Sequence, residues 1–204
     1  MSPSTPKELT VLRPSVDYGL RTAQRHITTV DAASGQSVFA PKKDLLYCDR
    51  GGYSVSWNYA TSAFPADLAD SKDLTGFLSD DVGANPNSVL YTGSRIVNSG
   101  GITFNTTNFA PGTETVMHRT LSLDFVTVVQ GTMELELDSG EKVVLQAGDS
   151  IVQRQTNHLW RNPSPDQPAR MVSVITPAHG VTINGQSLVE EGFSINGMGK
   201  PGSK

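Results

Sequence analysis

The 204-residue chain has one cysteine, Cys48, which excludes an intramolecular disulfide and fits a reducing compartment. No run approaches the roughly 18 apolar residues needed to span a bilayer. The first residues, Met1-Ser-Pro-Ser-Thr-Pro-Lys-Glu-Leu9, lack the apolar segment of a secretory signal. No Lys/Arg cluster is longer than Lys42-Lys43, and the net charge of -4 opposes a polyanionic partner. These absences predict a cytoplasmic protein with neither nucleic acid nor membrane as partner. In that setting the sequon Asn105-Thr106-Thr107 is a chance match, and Cys48, with no motif around it, has no assigned role.

What is present is a turn-rich globular composition: 37% apolar, 18% charged, 19 Gly and 12 Pro. That suits neither a disordered chain nor a helical bundle, and the length suits one domain. Period-two alternation recurs through the second half. Thr132–Asp138 puts Met133, Leu135 and Leu137 on one face and Glu134, Glu136 and Asp138 on the other, a half-buried strand. Asp138-Ser139-Gly140 supplies a turn and Lys142–Leu145 the returning partner. Further short strands are expected at 102–105, 116–120, 125–129, 150–153 and 171–175, spaced as in a sandwich or barrel.

The first half predicts a hairpin from Arg25–Val30 and Gln36–Ala40, a strand at Tyr53–Trp57 and one helical turn within Phe64–Asp70, with Pro65 near its start. Residues 70–88 read as loop, and 1–10 and about 192–204 as tails. Gly197-Met-Gly199-Lys-Pro-Gly202 spells GxGxxG, but no strand leads closely into it and no helix can follow it. A dinucleotide site needs both, so it is read as a glycine tail.

Among the four histidines, His118 and His158 stand in a two-part pattern. Gly112-x5-His118-x-Thr120-x3-Asp124-x6-Gly131 resembles the first cupin motif, with Thr120 in place of its second histidine and Asp124 in place of its glutamate. Gly148 through His158-x3-Asn162 resembles the second motif, one residue short and with Arg154 and Thr156 where Pro and Gly are usual. More narrowly, Met117-His-Arg-Thr-x-Ser-x-Asp124 with Val152-Gln-Arg-x-Thr-Asn-His158-x-Trp-Arg-Asn162 is similar to a cupin subgroup. That subgroup occurs in bacteria and in fungal natural-product pathways. The resemblance runs from about Arg25 to Ile175.

The resemblance implies an all-β, single-domain cupin jelly-roll barrel with an N-terminal β-hairpin extension. It divides the chain into a lead-in (1–24), a hairpin and cap segment (25–100), the conserved barrel (101–176) and a C-terminal segment and tail (177–204). Trp57–Tyr59 and Phe64–Leu68 resemble the extension that packs over such barrels and could close the cavity mouth, but ordinary core packing is the favoured reading. Family cupins are often dimers, which makes a homodimer the expectation.

Alternation places His118 and Thr120 on one face, with Arg119 on the other, and puts His158 and Trp160 on a shared face. The resemblance directs both faces into the barrel, with Asp124 on the neighbouring strand. His118, His158 and Asp124 are then candidate catalytic groups: imidazoles that exchange protons near neutrality, oriented by a carboxylate. Arg154 is a candidate to hold an anionic oxygen, and Thr120 and Trp160 are candidate substrate contacts. For Arg154 and Arg161 a surface or structural pairing is at least as good a reading, and His26 and His179 read as ordinary polar neighbours.

Family cupins commonly hold a divalent metal through three His and one Glu. Here His118, Asp124 and His158 remain, a set that suits Fe(II) or another divalent ion as a 2-His-1-carboxylate site. Thr120 is a poor ligand, however, and Asp is about 1.5 Å shorter in reach than Glu. No cofactor is therefore favoured. The leading expectation is a tailoring enzyme for a polyketide-like small molecule, a lyase or isomerase performing cofactor-free dehydration, cyclisation, isomerisation or decarboxylation. The alternatives are a non-haem metal-dependent oxidoreductase or dioxygenase, and a non-catalytic small-molecule-binding cupin.

Overall fold

A computed structural model describes residues 12–13, 16–78 and 96–192. The expected tails (apart from Gly192), the 197–202 glycine stretch and the greater part of the 70–88 segment lie outside the described residues. In chain order the first strands are β1 (Leu12–Arg13), β2 (Thr28–Val30), β3 (Ser37–Phe39), β4 (Tyr47–Asp49) and β5 (Tyr53–Ala60). A 3-10 turn at Ala69–Ser71 leads into helix α1 (Lys72–Phe77). Then come β6 (Thr103–Phe109), β7 (Ser122–Gln130), β8 (Thr132–Leu137), β9 (Lys142–Gln146) and β10 (Ser150–Arg154). β11 (His158–Arg161), β12 (Ala169–Pro177), β13 (Thr182–Ile183) and β14 (Gln186–Ser187) complete the described elements.

The strands form a seven-stranded sheet, β1-β4-β5-β6-β12-β7-β10, facing a three-stranded sheet, β11-β8-β9. All pairings are antiparallel, and the all-β barrel expected from the alternation and motifs is what the chain builds. The β2–β3 hairpin stands apart as its own two-stranded sheet. Its turn is closed by Asp31, whose carboxylate accepts from the Ser34 amide at 2.8 Å and the Ser34 hydroxyl at 2.7 Å.

The core joins the two sheets. Phe109, Val126, Val128, Met133, Leu135, Leu145, Trp160, Ala169 and Met171 form one buried cluster. Its inward residues obey the period of two, since adjacent positions on a strand face opposite sides. Met133 and Leu135 are buried on β8 as the alternation predicts, with Leu137 partly buried. Gly131, between β7 and β8, has φ +75°, and a Cβ there would lie 2.7 Å from the Pro168 carbonyl oxygen. Only glycine supplies both that conformation and that approach.

Three local expectations differ from the structure. Residues 72–77 are helical rather than loop, and Phe77 explains why. It is fully buried, tilted against Tyr59 at 4.7 Å between ring centroids, with the Arg25 guanidinium 5.1 Å over its ring. Six residues are too few for a helix to stand alone, so tertiary anchoring holds it. Phe64 and Leu68 are 74% and 70% exposed, and the helical turn begins only at Ala69, well past Pro65. Finally, Val116–Thr120 is not a regular strand: it carries isolated bridges from His118 to His158 and from Arg119 to Glu191.

Candidate functional site

The barrel encloses a cavity of about 510 Å³, within the size range of small-molecule sites. Alternating residues of each strand line it. β5 supplies Tyr53, Val55 and Trp57; β6 supplies Thr107 and Phe109; β12 supplies Met171, Ser173 and Ile175; β7 supplies Asp124 and Val126. His158 and Trp160 of β11 and the bridged residues Thr115, His118 and Thr120 close the opposite wall.

His118 and His158 are brought face to face. Each backbone amide donates to the other's carbonyl, at 2.8 and 2.9 Å, and the ring centroids lie 4.3 Å apart. The His118 Nδ1–H donates to the Val116 carbonyl at 2.8 Å and the His158 Nδ1–H to the Thr156 carbonyl at 3.0 Å. Both rings are thereby held in the tautomer whose basic nitrogen is Nε2. Burial, followed by the neighbouring His158, pushes His118 down to about 3, and burial also lowers His158. Both are neutral imidazoles across the physiological range, and the same lowering makes each a weaker base than an ordinary histidine. The orienting partners are backbone carbonyls and not Asp124, which corrects the role expected for that carboxylate.

Asp124 lines the same cavity from β7, with a different chemistry. Burial raises it from 3.8 to about 6, against a lowering hydrogen bond from Ser122. Its Oδ1 is buried with no hydrogen-bond partner. Thr120, Ser122 and Asp124 recur at every second position, and the Thr120 and Ser122 hydroxyls are 2.7 Å apart. The carboxyl is therefore a group that is readily protonated near neutrality and can give that proton away.

Of the remaining candidates, Thr120 and Trp160 line the cavity. Arg154 does not, and the expectation that it could hold an oxyanion is corrected. On β10 the residue opposite Asp124 is Gln153, while Arg154 pairs with Leu123 and is exposed. Gln153 is 3% exposed, takes a hydrogen bond from the Thr156 hydroxyl, and keeps its Nε2 buried without a partner. Arg161 pairs with Glu114, Glu134 and Glu136 outside the cavity. His26 and His179 are exposed, and neither lines the cavity.

The terminal asparagine of the second motif has a structural role. Asn162 is fully buried and donates to the Ala110 and Gln167 carbonyls at 3.1 and 2.8 Å, while its side-chain oxygen accepts from the Ser164 amide at 3.1 Å. It fastens the end of β11, and so the register that carries His158.

Several lining residues were missed by sequence reasoning. Tyr53, Val55, Met171 and Ser173 were reachable by extending the alternation inward. Arg50, on the β4–β5 turn, and Glu190 had no such signal. Glu190 belongs to a C-terminal strap laid beside His118: Glu191 forms a backbone bridge with Arg119 and an ion pair at 2.6 Å. Gly192, at φ +80°, approaches so closely that a Cβ would fall 2.2 Å from the Met117 carbonyl oxygen.

Residues 105–175, which carry both histidines and Asp124, match the family model for a cupin domain. A phomopsin biosynthesis cluster protein D of Diaporthe leptostromiformis is 40% identical over 83% of this chain and 86% of its own length. This chain belongs to the cupin family. An oryzines biosynthesis cluster protein J of Aspergillus oryzae is 38% identical over 65% of this chain and 69% of its own length. A cupin-domain-containing oxidoreductase, fogC, of Aspergillus ruber is 31% identical over 86% of this chain and 81% of its own length.

Cupins suggest a metal, and the donor set here tests that idea. Among the described residues no group of three or more His, Cys, Asp and Glu side chains converges where a metal ion could be held. The two Nε2 atoms are suitable donors, but Asp124 does not complete a cluster with them. Among the described residues, His118, Asp124 and His158, the alternative 2-His-1-carboxylate set that the resemblance offered, are therefore not grouped as metal ligands. No helix among the described residues is long and apolar enough to cross a membrane.

Proposed function

We propose that this cupin is a small-molecule tailoring enzyme of a secondary-metabolite pathway, working by acid/base chemistry without a cofactor. The observation that carries the reading is the pair of neutral imidazoles whose Nδ1 atoms are tied to backbone carbonyls, beside a buried, protonatable Asp124. The relatives named for phomopsin and oryzines biosynthesis clusters support the metabolic setting.

A carbonyl substrate in the cavity loses an α-proton to Nε2 of His118 or His158, and the C–H electron pair becomes the C=C of an enol. Asp124 delivers its proton to the carbonyl oxygen, or to a departing β-hydroxyl that leaves as water. Reversal at a different carbon gives isomerisation, and loss of water gives dehydration. The apolar wall keeps bulk water from competing for the protons.

The test is exchange of α-protons in a panel of aryl and alkyl ketones, followed by NMR in deuterium oxide. Exchange above the protein-free rate is expected, with a loss of about 100-fold or more in His118→Ala and His158→Ala. Unchanged exchange in both variants overturns the reading.

A metal-dependent oxidoreductase is the second reading, favoured by the names of relatives such as fogC. Elemental analysis after anaerobic Fe(II) reconstitution distinguishes the two. Stoichiometric metal with oxygen consumption would replace the acid/base reading.

A further inference from the structure

Asp124 has a polar neighbour that the acid/base chemistry leaves unused. Gln153 of β10 is its cross-strand partner. Directly opposed residues of an antiparallel pair project to one face, with Cβ atoms about 4.5–5.5 Å apart. That face is the inner one, since Ile151, two residues back on β10 and opposite Val126, packs on the core cluster. Both Gln153 and Asp124 are buried.

Their tips are complementary. Among the described residues, Oδ1 of Asp124 and Nε2 of Gln153 are each buried without a hydrogen-bond partner. The first is an acceptor and the second carries two N–H donors. The Ser122 hydroxyl already bonds the Asp124 carboxyl, and the Thr156 hydroxyl donates to Oε1 of Gln153. The latter bond sets the direction of the carboxamide, with its oxygen toward Thr156 and its N–H groups away from it. A buried donor and acceptor left apart each forfeit their hydration, and joining them gains most when the acceptor is charged.

Thr156 also links Gln153 to a base. Its carbonyl accepts the Nδ1–H of His158 at 3.0 Å. The turn that carries it bends at Gln155, with φ +57°, and is fastened to β7 by the Gln155 backbone amide, which donates to the Ser122 carbonyl at 3.2 Å. One residue thereby orients both the carboxamide opposite Asp124 and the imidazole of His158.

Resting on the acid/base reading of the cavity, we propose that Gln153 is the positioning residue of Asp124. When Asp124 gives its proton to the substrate oxygen, the O–H electron pair stays on the carboxylate, and Nε2–H of Gln153 donates a hydrogen bond to Oδ1. No proton leaves Gln153, which does not itself line the cavity. The bond stabilises the carboxylate left by the transfer and holds it in place until it is reprotonated. On β12 the partner of Asp124 is Ile175, and the titratable and charged groups that share its cavity are His118, His158, Glu190, Arg50 and Tyr53. All of them are retained in the variants that test the proposal.

The Asp124 carboxyl carbon is followed against pH by NMR in full-length protein carrying carboxyl-labelled aspartate, with Asp124→Asn identifying its signal. Gln153→Met removes the N–H donors at similar length. Asp124 should then hold its proton to a pH about one unit higher than in the unaltered protein, a tenfold gain in proton affinity. The alkaline fall of α-proton exchange should move up by the same amount, which loss of packing alone would not produce. Gln153→Glu keeps the length and the contact with Thr156 but sets a second carboxyl opposite the first. The two should titrate as a coupled pair whose upper value lies above that of Asp124 in the unaltered protein. An Asp124 titration that is unchanged in either variant, or that moves down, overturns the proposal. The titration is read without substrate, so absence of exchange in the unaltered protein counts against the acid/base reading alone.

Discussion

Replacing Asp124 by Asn tests the electrostatics on which the site depends. The carboxyl is 7% exposed, with one oxygen buried and unpartnered, and burial raises it from 3.8 to about 6. A folded-state value above the unfolded one means that the native protein binds the proton more tightly. Stability from this group is therefore fully present below about 3.8 and declines as pH rises toward 6 and beyond. At about 1.4 kcal/mol per pH unit, the interval from 3.8 to about 6 amounts to about 3 kcal/mol at pH 8.

Asn mimics the protonated acid and has no charge to desolvate. Asp124→Asn should match the unaltered protein near pH 4 and exceed its stability by roughly 2–3 kcal/mol at pH 8. For a chain of this size that is about 4–12 °C in Tm. His118, lowered to about 3, has the opposite dependence: its contribution is lost as pH falls below the ordinary 6.5. It is common to both proteins, so the difference between them isolates Asp124. Thermal melts of the pair at half-unit intervals from pH 4 to 8 give the measurement. A difference independent of pH, or a variant that becomes progressively less stable than the parent as pH rises, would refute the reasoning. The latter would mean that the ionised carboxylate has a strong cationic partner.

Other substitutions test the assignments around the site. Arg154→Ala should leave α-proton exchange unchanged and stability within about 0.5 kcal/mol, because the side chain is exposed and outside the cavity. A large loss of exchange would restore it as a substrate contact. Asn162→Ala removes three hydrogen bonds from a fully buried amide and should cost about 3 kcal/mol, seen as a lower midpoint in urea unfolding with an unchanged slope. A cost below about 1 kcal/mol would show that the end of β11 is held by other means.

The particular residues show where sequence sufficed. Met133 and Leu135 alternate with acidic neighbours, so the buried face of β8 was readable from the chain. The spacing from Gly112 to Gly131 and from Gly148 to Asn162 identified the barrel and the His118–His158 pair. The first rests on local periodicity, which acts within a strand, and the second on the resemblance of the two motifs to the cupin pattern.

The failures arise where contacts are long-range or the local pattern is blurred. In Ser150-Ile-Val-Gln-Arg154, Val152 is apolar yet 51% exposed, and Gln153 is polar yet 3% exposed. Hydrophobicity therefore could not tell which way Arg154 points. The helix at Lys72–Phe77 forms because Phe77 reaches Tyr59 and Arg25, which no six-residue pattern announces. Arg50 and Glu190 enter the site from segments 140 residues apart in the chain.

Composition and alternation by themselves pointed to an all-β sandwich or barrel, and the resemblance of two motifs to the cupin pattern selected the barrel and the two histidines that meet inside it. Tertiary structure alone decided the rest. Carbonyl oxygens two residues back orient those histidines, and Asp124 stands apart from a ligand cluster with a raised affinity for its proton. Arg154 faces solvent while Arg50 faces the cavity. The physical reason is that burial, charge neighbourhood and side-chain direction are properties of closure. They arise only when strands distant in sequence come within a few ångströms and exclude water between them.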